Sequence, residues 1–120
     1  MTQLEYAKKN IVTPLMKRIA YLEDLSPKLI LTRIRQGTVV MPLNKTHKVK
    51  KPCGIGYGLR VKVNANIGTS TDKSEVSDEL KKLEVAIKYG ADTIMDLSVG
   101  CSLARIRKDI LKHSTVPVGT

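Results

Sequence analysis

The order of segments in the second half of this chain restricts its fold more than any other feature. "LRVKVNANI" (59–67) is rich in β-branched residues and reads as a strand. "TDKSEVSDELKKLEVAIKYG" (71–90) reads as a helix, with Asp72 and Glu75 placed as a capping box and Gly90 as its stop. "ADTIMDLS" (91–98) is a second strand, and "SLARIRKDILKH" (102–113) a second helix, with Ser102 as cap and Leu103, Ile106, Ile110 and Leu111 facing inward. "TVPVGT" (115–120) begins a third strand. Strand, helix, strand, helix, strand predicts parallel strands with helices packed outside them. The predicted class is α/β, either part of a barrel of repeated β/α units or one half of an open doubly wound sheet. Three parallel strands leave an unpaired edge and a half-covered face, so this stretch reads as the amino-terminal portion of something larger.

The first half reads as short helices. In "TPLMKRIAYLEDL" (13–25), Thr13 caps, Pro14 sits where a helix tolerates its missing N–H, and Leu15, Ile19 and Leu22 fall on one face. "SPKLILTRIRQG" (26–37) repeats the device with Ser26 and Pro27, an apolar face of Leu29, Ile30 and Ile34, and Gly37 as stop. A short extended piece, "TVVMP" (38–42), closes at Pro42. The text then turns polar, basic and glycine-rich. The spacing Gly54, Gly56, Gly58 precedes a strand where a phosphate-cradling loop follows one, so these glycines read as a flexible lead-in. The resulting organisation is a helical segment over 1–45, a basic glycine-rich connection over 46–59, and the first β/α units over 60–120.

Composition bounds the partners. A chain of 120 residues holds one modest domain, and a 3% aromatic content, all tyrosine, leaves little to stack on single-stranded bases. The net charge of +10 invites a nucleic-acid, membrane-surface or phosphorylated partner, with one concentration at "KTHKVKK" (45–51). Lysine and arginine are otherwise spread through nearly every segment, so a solvated basic surface is the favoured reading. A small nucleic-acid-binding module on the 26–37 helix and the 45–51 loop is the alternative. Cys53 and Cys101 lie far apart with no second cysteine or paired histidine at ligand spacing, so neither a disulfide framework nor a self-sufficient metal site is visible. No apolar run nears the length of about 20 residues needed to span a bilayer, and "MTQLEYAKKN" lacks a signal-peptide core, which makes a cytoplasmic location the default.

In parallel sheets, the βα loops gather where strands end at their C-terminal side. The first strand ends at Asn66, Ile67, Gly68, Thr69, Ser70 and the second at Met95, Asp96, Leu97, Ser98. Alternation sends Asn64 and Asn66 to one side, where an amide's donor and acceptor suit a neutral polar ligand or bond the loop backbone. The following "GTS" offers backbone N–H groups to an anion if a helix starts there. Asp96 is readable as a base, a ligand-binding carboxylate, or the partner of Arg60 or of a backbone amide. His47 and His113 read as solvent-exposed, and Cys101 as a thiol at a helix start without a paired base.

"GIGYGLRVKVNANIGTS" (54–70), "KLEVAIKYGADTIMDLS" (82–98) and "VPVGT" (116–120) resemble the phosphomethylpyrimidine synthase family, as does the opening over 1–44. The resemblance covers essentially the whole chain and marks it as an N-terminal fragment. It implies a truncated (β/α)8 TIM-type barrel, entered through an N-terminal helical segment. It also implies a radical S-adenosylmethionine lyase of thiamine biosynthesis that converts 5-aminoimidazole ribotide to hydroxymethylpyrimidine phosphate, using a [4Fe-4S] cluster and zinc, and a homodimer at full length. By that resemblance Asn66 and Met95 bind substrate, with Asn64 and Asp96 as neighbours and the catalytic residues unassigned. The ligands for cluster, S-adenosylmethionine and zinc lie outside this chain, which alone is expected to be inactive. One departure stands out: after the second strand the family's "STG" turn is replaced by Ser98-Val99-Gly100, followed by Cys101.

Overall fold

The computed structural model describes residues 1–44, 46–71, 75–100 and 102–120. Asp72, half of the expected capping box, and Cys101 therefore lie outside the described residues. The chain divides into two compact units, Met1–Pro42 with Pro52–Val61, and Leu43–Lys51 with Lys62–Thr120. The stretch read as a connection over 46–59 is shared between them.

In the first unit, α1 (Gln3–Lys8), α2 (Pro14–Leu22) and α3 (Pro27–Arg35) precede a two-stranded antiparallel ribbon of β1 (Val39–Val40) and β2 (Ile55–Gly56). The caps act as the sequence predicts: Thr13 Oγ1 accepts the Met16 N–H at 3.1 Å, and Ser26 Oγ accepts that of Leu29 at 3.2 Å. Helix α1 was not anticipated, although Thr2 and Glu5 form a reciprocal capping box that the T-x-x-E spacing announces.

The buried faces are rotated from expectation. Met16, Ile19 and Ala20 of α2 and Ile30, Leu31 and Ile34 of α3 enter the core, while Leu22 is 47% and Leu29 36% exposed. Helix α3 packs against both α1 and α2, so its apolar stripe must serve two neighbours. The glycines of 54–58 are packed, not a flexible lead-in. A Cβ on Gly56, whose φ is +140°, would lie 2.1 Å from the Thr38 carbonyl oxygen, and one on Gly54 would lie 2.8 Å from Ile19 Cγ2.

In the second unit, β3 (Asn64–Ile67), β4 (Thr93–Asp96) and β5 (Val118–Gly119) form a parallel sheet in chain order, with α4 (Val76–Lys88) and α5 (Leu103–His113) as the connecting helices. Ile67 and Ile94 pack with Leu83 of α4 and with Ile106 and Ile110 of α5 in one apolar cluster, so the helices cover one face of the sheet. The α/β class stands. The described residues form an open three-stranded sheet, not a closed barrel.

Strand β3 begins later than the β-branched run suggests. Val61 and Val63, 86% and 57% exposed, have the propensity for a strand but sit outside the paired segment. Both helix starts of this unit also differ from prediction. Glu75 is the N-cap of α4, not its third residue, and makes no side-chain cap bond. Ser102 caps α5 by position only: its φ of +62° departs from the extended conformation that aims a cap hydroxyl at the first-turn N–H groups.

Candidate functional site

The parallel register decides which side chains share a face. Asn64 pairs with Thr93, Asn66 with Met95, and Met95 with Gly119, so these five positions line the side of the sheet away from the helices. There the Thr93 hydroxyl donates to Asn64 Oδ1 at 2.8 Å, and Asn64 Nδ2 donates to Asn66 Oδ1 at 3.0 Å. This chain of bonds orients the Asn66 amide so that its N–H donors point to no protein acceptor among the described residues. Met95 lies across β5: a Cβ on Gly119 would sit 3.2 Å from its Cε and 3.3 Å from its Sδ. The face thus offers an exposed amide donor beside a half-buried thioether, an arrangement suited to a flat polar ring.

Asp96 does not join this group. Alternation puts it on the opposite face, paired with Ile67 and 2% exposed. Its Oδ1 accepts the Ser98 N–H at 2.9 Å, and its Oδ2 lies 3.5 Å from Arg107 Nε. Of the alternatives open from the sequence, the backbone-amide partner is the one realised. The Arg60 N–H donates to Glu23 Oε2 at 2.8 Å and its Nη1 to the Val61 carbonyl at 3.1 Å.

The loops after β3 and β4 are joined to each other. Leu97 N–H donates to Ile67 O at 2.8 Å and Val99 N–H to Thr69 O at 3.0 Å. In return, Thr69 N–H donates to Ser98 Oγ and Thr69 Oγ1 to Val99 O, both at 3.1 Å. A Cβ on Gly68 would meet the Leu97 carbonyl carbon at 2.6 Å, so the approach is backbone to backbone. The expectation of anion-binding N–H groups at "GTS" fails on both counts, because the Thr69 N–H is engaged and α4 starts only at Val76.

Some participants were missed by sequence reasoning. The hydroxyls of Ser98 and Thr69 join the two loops, Arg107 faces Asp96, and Glu79 is a 2% exposed carboxylate whose Oε1 meets Lys82 Nζ at 2.6 Å. The available signal for Asp96 was its alternation with Met95, which puts a carboxylate on the apolar side of a strand. His47 is half-buried instead of solvent-exposed, its Nε2 lying 3.0 Å from the Ser114 carbonyl oxygen, whereas His113 is exposed. Cys53 is buried in the first unit. Among the described residues no three His, Cys, Asp or Glu side chains converge on a metal-ion position, so these residues do not fit a cluster or zinc site. No described helix is long and apolar enough to cross a membrane.

Helix α3 is a core helix more than a docking surface. The Arg33 guanidinium lies 5.5 Å over the Tyr57 ring and donates to the Gly58 carbonyl at 3.2 Å, and Arg35 donates to Asn10 Oδ1 at 2.7 Å. Both arginines that a groove-reading helix would present are bonded within their own unit.

A parallel sheet with its connecting helices on one face and polar side chains on the other defines an open α/β unit. The model of the Radical SAM ThiC family matches residues 2–120, and the chain belongs to that family. It is 54% identical over all 120 residues to a phosphomethylpyrimidine synthase of Dehalococcoides mccartyi. It is 51% identical to one of Pyrococcus abyssi and 49% identical to one of Thermodesulfovibrio yellowstonii, again over 120 residues. In each case the match takes in the whole of this chain and 28% of the relative's length.

Proposed function

We propose that this chain supplies the N-terminal part of a phosphomethylpyrimidine synthase of thiamine biosynthesis, a radical S-adenosylmethionine lyase that converts 5-aminoimidazole ribotide to hydroxymethylpyrimidine phosphate. In this reading β3, β4 and β5 are the first strands of a (β/α)8 barrel, and the face carrying Asn66 and Met95 is turned toward its interior. The observation that carries the reading is the Asn66–Met95 pair. These residues, singled out by resemblance, stand side by side in the register on the face opposite the helices.

The chemistry of that face supports a ribotide. Asn66 donates to a ring nitrogen or exocyclic group from an amide held by Asn64 and Thr93, and Met95 lays a polarisable thioether against the ring plane. The [4Fe-4S] cluster, S-adenosylmethionine and zinc are bound by residues beyond this chain, the full-length protein is a cytoplasmic homodimer, and the 120 residues alone are inactive.

The test is a chimera in which this segment replaces the matching residues of the Dehalococcoides relative, reconstituted anaerobically and supplied with the ribotide. Formation of the pyrimidine phosphate is expected, with Asn66→Ala and Met95→Ala each lowering kcat/KM by about tenfold or more. Wild-type turnover in both variants overturns the site assignment.

A further inference from the structure

We propose that Asp96 is a positioning residue: its buried carboxylate holds together the two loops that rim the polar face of the sheet, and so sets the geometry of Asn66 and Met95 without touching the ligand. The proposal rests on reading that face as the ribotide site.

A carboxylate withdrawn from water must be hydrogen-bonded or paired, and a buried pair is a poor stabiliser compared with well-packed apolar side chains. Position 96 lies between the sheet and α5, where Ile94, two residues earlier on the same face, is apolar and 0% exposed. An apolar residue would pack there at lower cost. Asp96 instead keeps one oxygen, Oδ2, with no hydrogen bond, and it faces a buried Arg107 Nε that also makes none. A costly arrangement of this kind is explained by what its other oxygen holds.

Oδ1 accepts the Ser98 N–H and fixes the backbone just beyond β4. Ser98, 4% exposed, turns its hydroxyl to accept the Thr69 N–H across the gap between loops. Thr69, also 4% exposed, returns its own hydroxyl to the Val99 carbonyl. The relay runs from α5 through Arg107 and Asp96 to the loop after β4, and through Ser98 to the loop after β3. Met95 adjoins Asp96, and Asn66 lies three residues before Thr69. A shift at Asp96 is therefore passed to both proposed ligand contacts, as outer-shell partners do in other sites.

Calorimetric titration of 5-aminoimidazole ribotide into the chimera tests this and needs no cluster. Asp96→Asn keeps the volume and the Ser98 acceptor but turns an amide donor toward the Arg107 cation. The expected result is a dissociation constant raised about tenfold with the binding stoichiometry unchanged. Asp96→Asn combined with Arg107→Gln, which restores a complementary donor and acceptor, is expected to recover affinity to within about threefold. Ser98→Ala removes only the link to Thr69 and is expected to weaken binding in the same direction; it decides the matter if Asp96→Asn does not fold. Unchanged dissociation constants in the variants, or a loss confined to stoichiometry, overturn the proposal, the latter because it marks a misfolded fraction. A folded wild-type chimera that fails to bind the ribotide instead overturns the reading of the face itself.

Discussion

The helical unit and the β/α unit follow local rules to different degrees. In the first, Thr2, Thr13 and Ser26 cap their helices through side-chain bonds, and two of those helices open on a proline. In the second, neither α4 nor α5 has a side-chain cap bond, and the buried carboxylates of Glu79 and Asp96 each keep one oxygen that accepts no hydrogen bond. The asparagines of β3 lie exposed on the sheet face. The missing caps and the buried carboxylates are found in the sheet unit, whereas left-handed non-glycine residues occur in both, at Asn10 and Asp24 of the first and Ser102 of the second. In the reading proposed above, the sheet unit gives up local stabilisation in the unit that carries the ligand face.

That contrast can be broken or sharpened by substitution. The largest effect is expected where the units are alike, in their cores: Ile30→Ala and Ile94→Ala, both at 0% exposure, each cost about 2–5 kcal/mol in urea unfolding followed by circular dichroism. Next comes Asp96→Ala, which strands the Ser98 N–H and leaves the Arg107 Nε without its counter-charge, costing about 1–3 kcal/mol by the same measurement. A loss well below that range would show the relay to be slack.

Smaller effects separate the caps. Thr13→Ala is expected to cost about 1 kcal/mol, since a working cap is lost. Ser102→Ala should stay within about 0.5 kcal/mol because no cap bond exists to lose. Ser102→Gly should be stabilising, because glycine adopts the left-handed conformation without a side-chain penalty. Equal losses at Thr13 and Ser102 would erase the distinction between the units.

The smallest effect is a matter of pH. The Thr2 backbone N–H holds the Glu5 carboxyl below its usual range, helped by the Thr2 side chain. A depressed folded-state pKa means the contribution is present above the unfolded value and is lost as pH falls through the folded one. Carbon-detected NMR titration of Glu5 should give a midpoint below that of an unstructured glutamate, and Thr2→Ala, which keeps the backbone N–H and removes the side-chain contribution, should move it only part of the way back up.

The sequence made this architecture legible where the physics is local. Thr13-Pro14 and Ser26-Pro27 announce helix starts by chemistry that acts within one turn. The order of strands and helices, and the shared face of Asn64 and Asn66, follow from the parallel-crossover rule and the period of two. What depended on distant neighbours was hidden. The buried faces of α2 and α3 depend on which helices lie beside them, so Met16, Ala20 and Leu31 displaced the expected Leu22 and Leu29. Residues 59–63 have strand propensity but lie outside the paired segment. At the candidate site, Asn66 and Met95 were found by resemblance and share a face by register. The role of Asp96 rests on an arginine in the next helix and a serine whose hydroxyl reaches another loop, neither of which alternation reveals.

In the proposed reading, the polar face of the sheet, not its helical side, receives the ligand. The most direct test of that reading is the affinity of the full-length chimera for 5-aminoimidazole ribotide with Asn66→Ala on one face and Val85→Ala, a 54% exposed position on α4, as control. Asn66→Ala is expected to raise the dissociation constant about tenfold or more and Val85→Ala to leave it unchanged. Equal affinity of Asn66→Ala and wild type would contradict it.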